Sequence, residues 1–135
     1  MNARSALKTA EGSSHTRVAI YLSNLFAQHG QREEHFYTMF LDRGRRFLGE
    51  RFVRGVGVAG IQMRAREILA DALQVQAHGI VIAHNHPSGF CRPSEHDYLA
   101  TRRLSHIAAT LDIELLDHLI ITRNRAYSMR AREEI

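Results

Sequence analysis

The sequence predicts an α/β sandwich built on a mixed sheet. Helix-like and strand-like segments alternate in the order helix, hairpin, helix, strand, helix, strands. The segment Gly79-Ile80-Val81-Ile82-Ala83 is apolar throughout, as a strand covered on both faces must be. At 135 residues, with 44% hydrophobic and 24% charged residues, the chain has the size and composition of one soluble domain with its own core.

Residues 17–28 place apolar side chains at 18, 20, 22, 25 and 26, and His29-Gly30 stops the pattern, which predicts a helix. Phe36–Leu41 and Arg46–Val53 read as two strands joined by a Gly-containing turn, Asp42–Arg45. Gly55, Gly57 and Gly60 mark an irregular loop. From Met63 to Ala77, apolar positions 65, 68, 69, 72, 73 and 77 share a helical face that His78-Gly79 terminates. After the buried strand comes a helical stripe at Ala100, Leu104, Ile107, Ala108 and Leu111. A strand over 113–122, interrupted by Asp117-His118, and a short strand over Ala126–Met129 complete the order. The polar first residues predict a flexible N-terminus over 1–16 ahead of a single domain over 17–135.

The lone cysteine, Cys91, excludes an internal disulfide and every cysteine-rich zinc framework, in keeping with a reducing cytoplasm. Apolar runs are too short to span a bilayer and the first sixteen residues have no signal-peptide core, so neither membrane insertion nor export is expected. The formal charge is +4, and Lys8 is the only lysine among 18 basic residues. Arginine suits phosphate or carboxylate recognition. The clusters Arg43–Arg46 and Arg123–Arg125 nevertheless read as solvated turns, which leaves DNA as a secondary expectation.

Chemistry concentrates in residues 84–97, His-Asn-His-Pro-Ser-Gly-Phe-Cys-Arg-Pro-Ser-Glu-His-Asp, which contain both prolines of the chain. His84 and His86 leave an extended chain on the same side, at the end of the buried strand. Asp97 lies one turn beyond Ser94 if a helix starts at Pro93-Ser94, close enough to return a carboxylate as third ligand. Three protein ligands leave one position for water, the arrangement of a catalytic zinc. Ser94 followed three residues later by Asp97 is also a helix-capping pattern. Asp117-His118 reads either as a pair orienting a ligand or as polar residues at a strand bulge. Cys91, Phe90 and Arg92 read as loop and rim residues.

His84-x-His86, seven residues, then Ser94-x-x-Asp97 resembles the JAMM (MPN) metalloprotease motif, and the flanking His-Asn-His-Pro-Ser-Gly resembles its bacterial RadC-like branch. Phe40-Leu41-Asp42, Arg66-Glu67 and Leu115–Ile120 add to the resemblance, which covers roughly residues 30 to 130. It implies a three-layer α-β-α sandwich with a mixed sheet, related to the cytidine deaminases. It implies Zn²⁺ held by His84, His86 and Asp97, with Ser94 steadying an oxyanion and an upstream glutamate taking a proton from water. Glu34 is the positional match, with Glu33 and Glu50 as competitors. The chain departs from the family at Gly55–Gly60 and at Arg64-Ala65, which fall where a substrate loop is expected, and no counterpart of the helical DNA-binding region that the resemblance associates with full-length proteins is expected within these 135 residues.

The function implied is zinc-dependent hydrolysis of an amide or isopeptide bond in a protein or peptide substrate. The alternative is a DNA-binding or DNA-processing repair accessory module. An HNH nuclease is disfavoured, because those sites distribute their residues over a hairpin and helix.

Overall fold

The computed structural model describes residues 2–8, 14–55 and 60–135, with side chains described over 2–6, 16–55 and 64–135. In chain order the elements are α1 (Ala3–Lys8), α2 (Ser14–Gln28), β1 (Phe36–Leu41), β2 (Phe47–Val53), α3 (Gly60–Gln74), β3 (Gly79–Asn85), α4 (Glu95–Thr110), β4 (Glu114–Ile121) and β5 (Ala126–Ser128). The five strands form one mixed sheet of order β2-β1-β3-β4-β5. Only β3 and β4 pair in parallel, with α4 as their crossover; the other neighbours are antiparallel.

Two cores sandwich the sheet. On one face Phe36, Phe40, Ile80, Ile82 and Leu115 pack against Ile68, Leu69 and Ala72 of α3 and Ala100, Leu104 and Ala108 of α4. On the other, Tyr37, Met39, Leu41, Val81, Ala83, Leu119 and Ile121 pack against Val18, Leu22 and Phe26 of α2 and Ala3 of α1. The chain is therefore a three-layer α-β-α sandwich, and β1 and β3 are buried at every residue.

Residues 3–8, expected to be part of a flexible extension, form a helix whose Ala3 and Ala6 are buried. Six residues with two alanines carry no readable amphipathic stripe, so the sequence pattern does not announce this helix. Arg64 and Ala65 lie in α3, as the helical pattern from Met63 predicts and not on the substrate loop that the resemblance suggests, and Arg64 pairs with Glu67. Gly60 opens that helix, and the remainder of the glycine-marked loop, residues 56–59, lies outside the described residues.

Helices α3 and α4 end by the same device. Ala77 N–H bonds to the Ala72 carbonyl and Gln76 N–H to Leu73; Ile113 bonds to Ala108 and Asp112 to Ala109. Gln76 and Asp112 occupy the left-handed region at φ 58°, where glycine is usual. The missing glycine explains why α3 was expected to run to Ala77. The helical faces are also narrower than the apolar pattern suggests: Ile20, Leu73, Ile107 and Leu111 are all at least 37% exposed.

Strand β4 carries one extra residue. Ile80 pairs with Leu115 but Val81 pairs with Asp117, so Leu116 bulges and the face of every later side chain is inverted. Asp117 and Arg130 hold the bulge. Asp117 Oδ1 accepts from His118 N (2.7 Å) and Arg130 N (3.0 Å), and its Oδ2 accepts from Ser128 Oγ (2.6 Å). The Arg130 guanidinium donates to the Leu115 and Leu116 carbonyls, each at 2.9 Å.

Leu104→Ala, which empties a site only 1% exposed, should cost about 2–5 kcal/mol in urea unfolding. Leu73→Ala, on the solvent side of α3, should stay within about 0.5 kcal/mol.

Candidate metal centre

The carboxyl end of β3 places His84 and His86 on the sheet face covered by α4, because both share the parity of Ile80 and Ile82. Their Nε2 atoms lie 2.9 Å apart. Asp97, in the first turn of α4, brings Oδ2 to 3.2 Å from His86 Nε2 and Oδ1 to 3.4 Å from His84 Nε2. Glu34, two residues before β1, approaches His84 Nε2 to 4.0 Å. Donor atoms of Glu34, His84 and His86 all lie within 4.8 Å of one another, a group able to hold a metal ion. Four of the five sequence-identified residues, Glu34, His86, Ser94 and Asp97, line one cleft of about 500 Å³, and His84 is buried beside His86 and Asp97.

The capping pattern is real and is made by the side chain. Ser94 Oγ accepts from Asp97 N at 3.0 Å while Asp97 Oδ2 accepts from Ser94 N at 2.8 Å, a reciprocal capping box. The hydroxyl oxygen is thus an acceptor in the cap, and its proton is left to donate elsewhere. The cap also fixes the Asp97 carboxylate in its orientation toward the two imidazoles.

Hydrogen bonds to the outer ring nitrogens set the tautomers. His86 Nδ1 lies 2.8 Å from the Phe90 carbonyl, which can only accept, so Nδ1 carries a proton and neutral His86 presents a lone pair at Nε2. Behind His84 runs a buried chain: Nδ1 to His118 Nε2 at 2.8 Å, and His118 Nδ1 to Thr101 Oγ1 at 2.7 Å. Two imidazole nitrogens and a carboxylate packed within 3.4 Å need positive charge among them, which either a ring proton or a bound cation supplies. The donor set of nitrogen and carboxylate oxygen is the one zinc takes in catalytic sites.

The electrostatics follow from these contacts. Burial works to raise the Asp97 pKa, but hydrogen bonds from His84 and His86, with Ser94 N–H, hold it well below the usual carboxylate range. The hydrogen bond that protonated His86 donates to the Asp97 carboxylate raises the pKa of His86. Burial pushes His118 well below the ordinary histidine value, reinforced by the neighbouring His84 charge.

Glu50, a competitor for the proton acceptor, is occupied elsewhere. Its carboxylate accepts from Tyr37 (2.6 Å) and Tyr21 (2.9 and 2.8 Å) on the α2 side of the sheet. Glu33 offers its backbone: its carbonyl accepts from Asn85 Nδ2 at 2.9 Å, and Asn85 Oδ1 accepts from His35 N at 2.6 Å. Asn85, fully buried, thus clasps the chain on both sides of Glu34. Two site residues escaped the sequence reading. Asn85 alternates with the two histidines and must face the opposite layer, and Thr101 follows Asp97 by one helical turn on the same face of α4. Asp117 and His118 divide the two roles proposed for them: Asp117 secures the bulge and His118 meets His84. Cys91 Sγ donates to the Ile120 carbonyl at 3.6 Å, as a loop residue would.

A sequence model described as the RadC-like JAB domain matches residues 13–134. The chain is also similar to a UPF0758 protein of Vibrio atlanticus (strain LGP32), with 34% identity over 119 residues that cover 88% of this chain and 51% of the relative. It spans about half the length of that relative. Among the described residues no helix is long and apolar enough to cross a membrane.

His118 gives this centre a pH signature. An unfolded histidine takes a proton below about pH 6.5, whereas folded His118, with its pKa lowered, does not. Its contribution to stability is therefore lost as pH falls below about 6.5, at up to about 1.4 kcal/mol per pH unit. In metal-free protein, the stability of the parent chain relative to His118→Gln should decline accordingly in urea unfolding between about pH 7 and pH 5. A constant difference would mean that folded His118 accepts the proton.

Proposed function

The chain belongs to the RadC-like JAB domain family, and from that premise we propose that it is a zinc-dependent hydrolase of amide or isopeptide bonds. The observation that carries the reading is the convergence of Glu34, His84, His86 and Asp97 on one cleft, from a loop, a strand end and a helix start. His84, His86 and Asp97 are the residues that would hold the ion. Zn²⁺, when bound, supplies a Lewis acid for the carbonyl and lowers the pKa of water.

The remaining chemistry falls to the side chains. Glu34 stands beside the ligands without an arginine partner among the described residues, and serves as the base that takes a proton from water and returns it to the leaving amine. The Ser94 hydroxyl proton, left over from the cap, donates to the oxygen that gains charge in the tetrahedral state. Asn85 positions Glu34 through the backbone on either side of it. His118 and Thr101 keep His84 protonated at Nδ1 and so hold its Nε2 lone pair toward the ion.

Elemental analysis of protein purified without a His tag should find about one zinc per chain, lost in Asp97→Ala and His84→Ala. Folded parent protein that takes up no zinc would overturn the reading. Glu34→Gln should keep its zinc yet lose about 10²–10⁴-fold in cleavage of a mixed peptide library followed by mass spectrometry. Loss of zinc in that variant would make Glu34 a ligand instead of the base. Asn85→Ala should also retain zinc while lowering kcat more than it raises KM, since it loosens the base and not the binding groove.

A further inference from the structure

We propose that the groove beside the metal-centre cleft binds an acidic stretch of polypeptide. Its identification as the flank of the substrate rests on the hydrolase reading above, but the binding itself does not.

The groove encloses about 680 Å³ between the loop after β3, the β4–β5 turn and the segment after β5. Arg92, Arg123, Arg125 and Arg132 reach it from these three places, and all four are exposed. Among the described residues no carboxylate pairs with any of them, whereas Arg43 holds Asp112 at 2.7 Å and Arg51 holds Asp71 at 2.7 Å elsewhere on the surface. Glu134, outside the residues that line the groove, accepts with its carboxylate from the hydroxyls of Tyr98 and Tyr127, which do line it. Four uncompensated guanidinium groups around one concavity concentrate positive potential there and select an anionic ligand.

The aromatic residues decide which anion. Single-stranded nucleic acid is held by bases stacked on open aromatic faces. Here two of the three aromatic rings at the groove carry arginines: the Arg92 guanidinium lies 4.8 Å from the Phe90 ring centroid, and that of Arg132 lies 5.0 Å from Tyr127. A guanidinium stacked in this way keeps its in-plane N–H groups free and orientationally fixed, the geometry that takes a carboxylate in a two-point fork. The groove therefore offers forks for carboxylates and few platforms for bases.

Continuity with the cleft supplies the connection to catalysis. Phe90 and Arg92 line both concavities, and the Phe90 carbonyl is the group that orients His86. An extended peptide advances only about 3.3 Å per residue, so acidic side chains in the groove would lie within a few residues of an amide in the cleft.

The test is fluorescence anisotropy on the Glu34→Gln chain, which keeps the groove intact and prevents turnover. The probes are a fluorescein-labelled peptide of alternating Glu and Gly, its Gln-Gly counterpart, and a labelled oligothymidylate, all at one ionic strength. The Glu peptide should bind about tenfold or more tightly than the Gln peptide, and Arg123→Gln/Arg125→Gln should remove most of that advantage. Arg102→Gln/Arg103→Gln on α4, with the same net charge, should preserve it. Equal affinity for the two peptides, an advantage untouched by the groove variant, or tighter binding of the oligonucleotide than of the Glu peptide would each overturn the proposal. No step reads hydrolysis or metal, so a failed zinc assay and a failed binding assay are separate results. Circular dichroism of each variant shows that a loss of binding is not a loss of fold.

Discussion

The geometry of the candidate metal centre depends on one extra residue in β4. Without the bulge at Leu116, the parity of the strand would turn His118 toward α2 and leave the Nδ1 of His84 facing a buried space with no partner. With it, His118 faces α4, and Thr101 closes the chain at its far nitrogen. A buried neutral hydrogen bond contributes only about 0.5–1.5 kcal/mol, but an orphaned ring nitrogen there would cost about 1–3 kcal/mol. The bulge therefore matters less as a source of stability than as the condition under which His84 is held in one orientation. Asp117 and Arg130 engage the polar groups the bulge releases, so the C-terminal segment supports the site without touching it.

The same economy governs the rest of the centre, where each fixed side chain is held by a group that has another structural task. The cap of α4 orients Asp97 while starting the helix. The carbonyl of Phe90 sets the His86 tautomer while shaping the loop. The side chain of Asn85 secures the approach to β1 while joining the layer opposite its two neighbours. In this way strand β3 uses alternation twice, sending histidines to one face and the amide that positions Glu34 to the other.

The distribution of arginine separates supporting surface from recognition surface. At the far end of the sheet Arg43 and Arg45 engage Asp112 and Glu114, next to the turn that ends α4. Around the groove next to the candidate metal centre four arginines have no carboxylate partner among the described residues, and two of them, Arg92 and Arg132, lie over aromatic rings. One-sided charge of this kind costs a little self-repulsion in the free chain, which a carboxylate-bearing ligand would relieve.

What the sequence by itself determined is the layered α/β order, the buried strand and the short-range site. Alternation of period puts the elements in order, and the cap, the two histidines and Asp97 all lie within fourteen consecutive residues, so local geometry relates them. The N-terminal helix and the ends of α3 were not legible, because six alanine-containing residues carry no stripe and because Gln76 takes a backbone conformation that glycine usually announces. Tertiary structure alone decided the rest. The placement of Glu34 beside His84, the engagement of Glu50 by two tyrosines, the partnership of His84 with His118, and the gathering of four arginines at one groove join residues that lie up to some forty or fifty positions apart. Such contacts depend on strand register, and a bulge of one residue, invisible in a hydrophobic pattern, is enough to change which side chains meet.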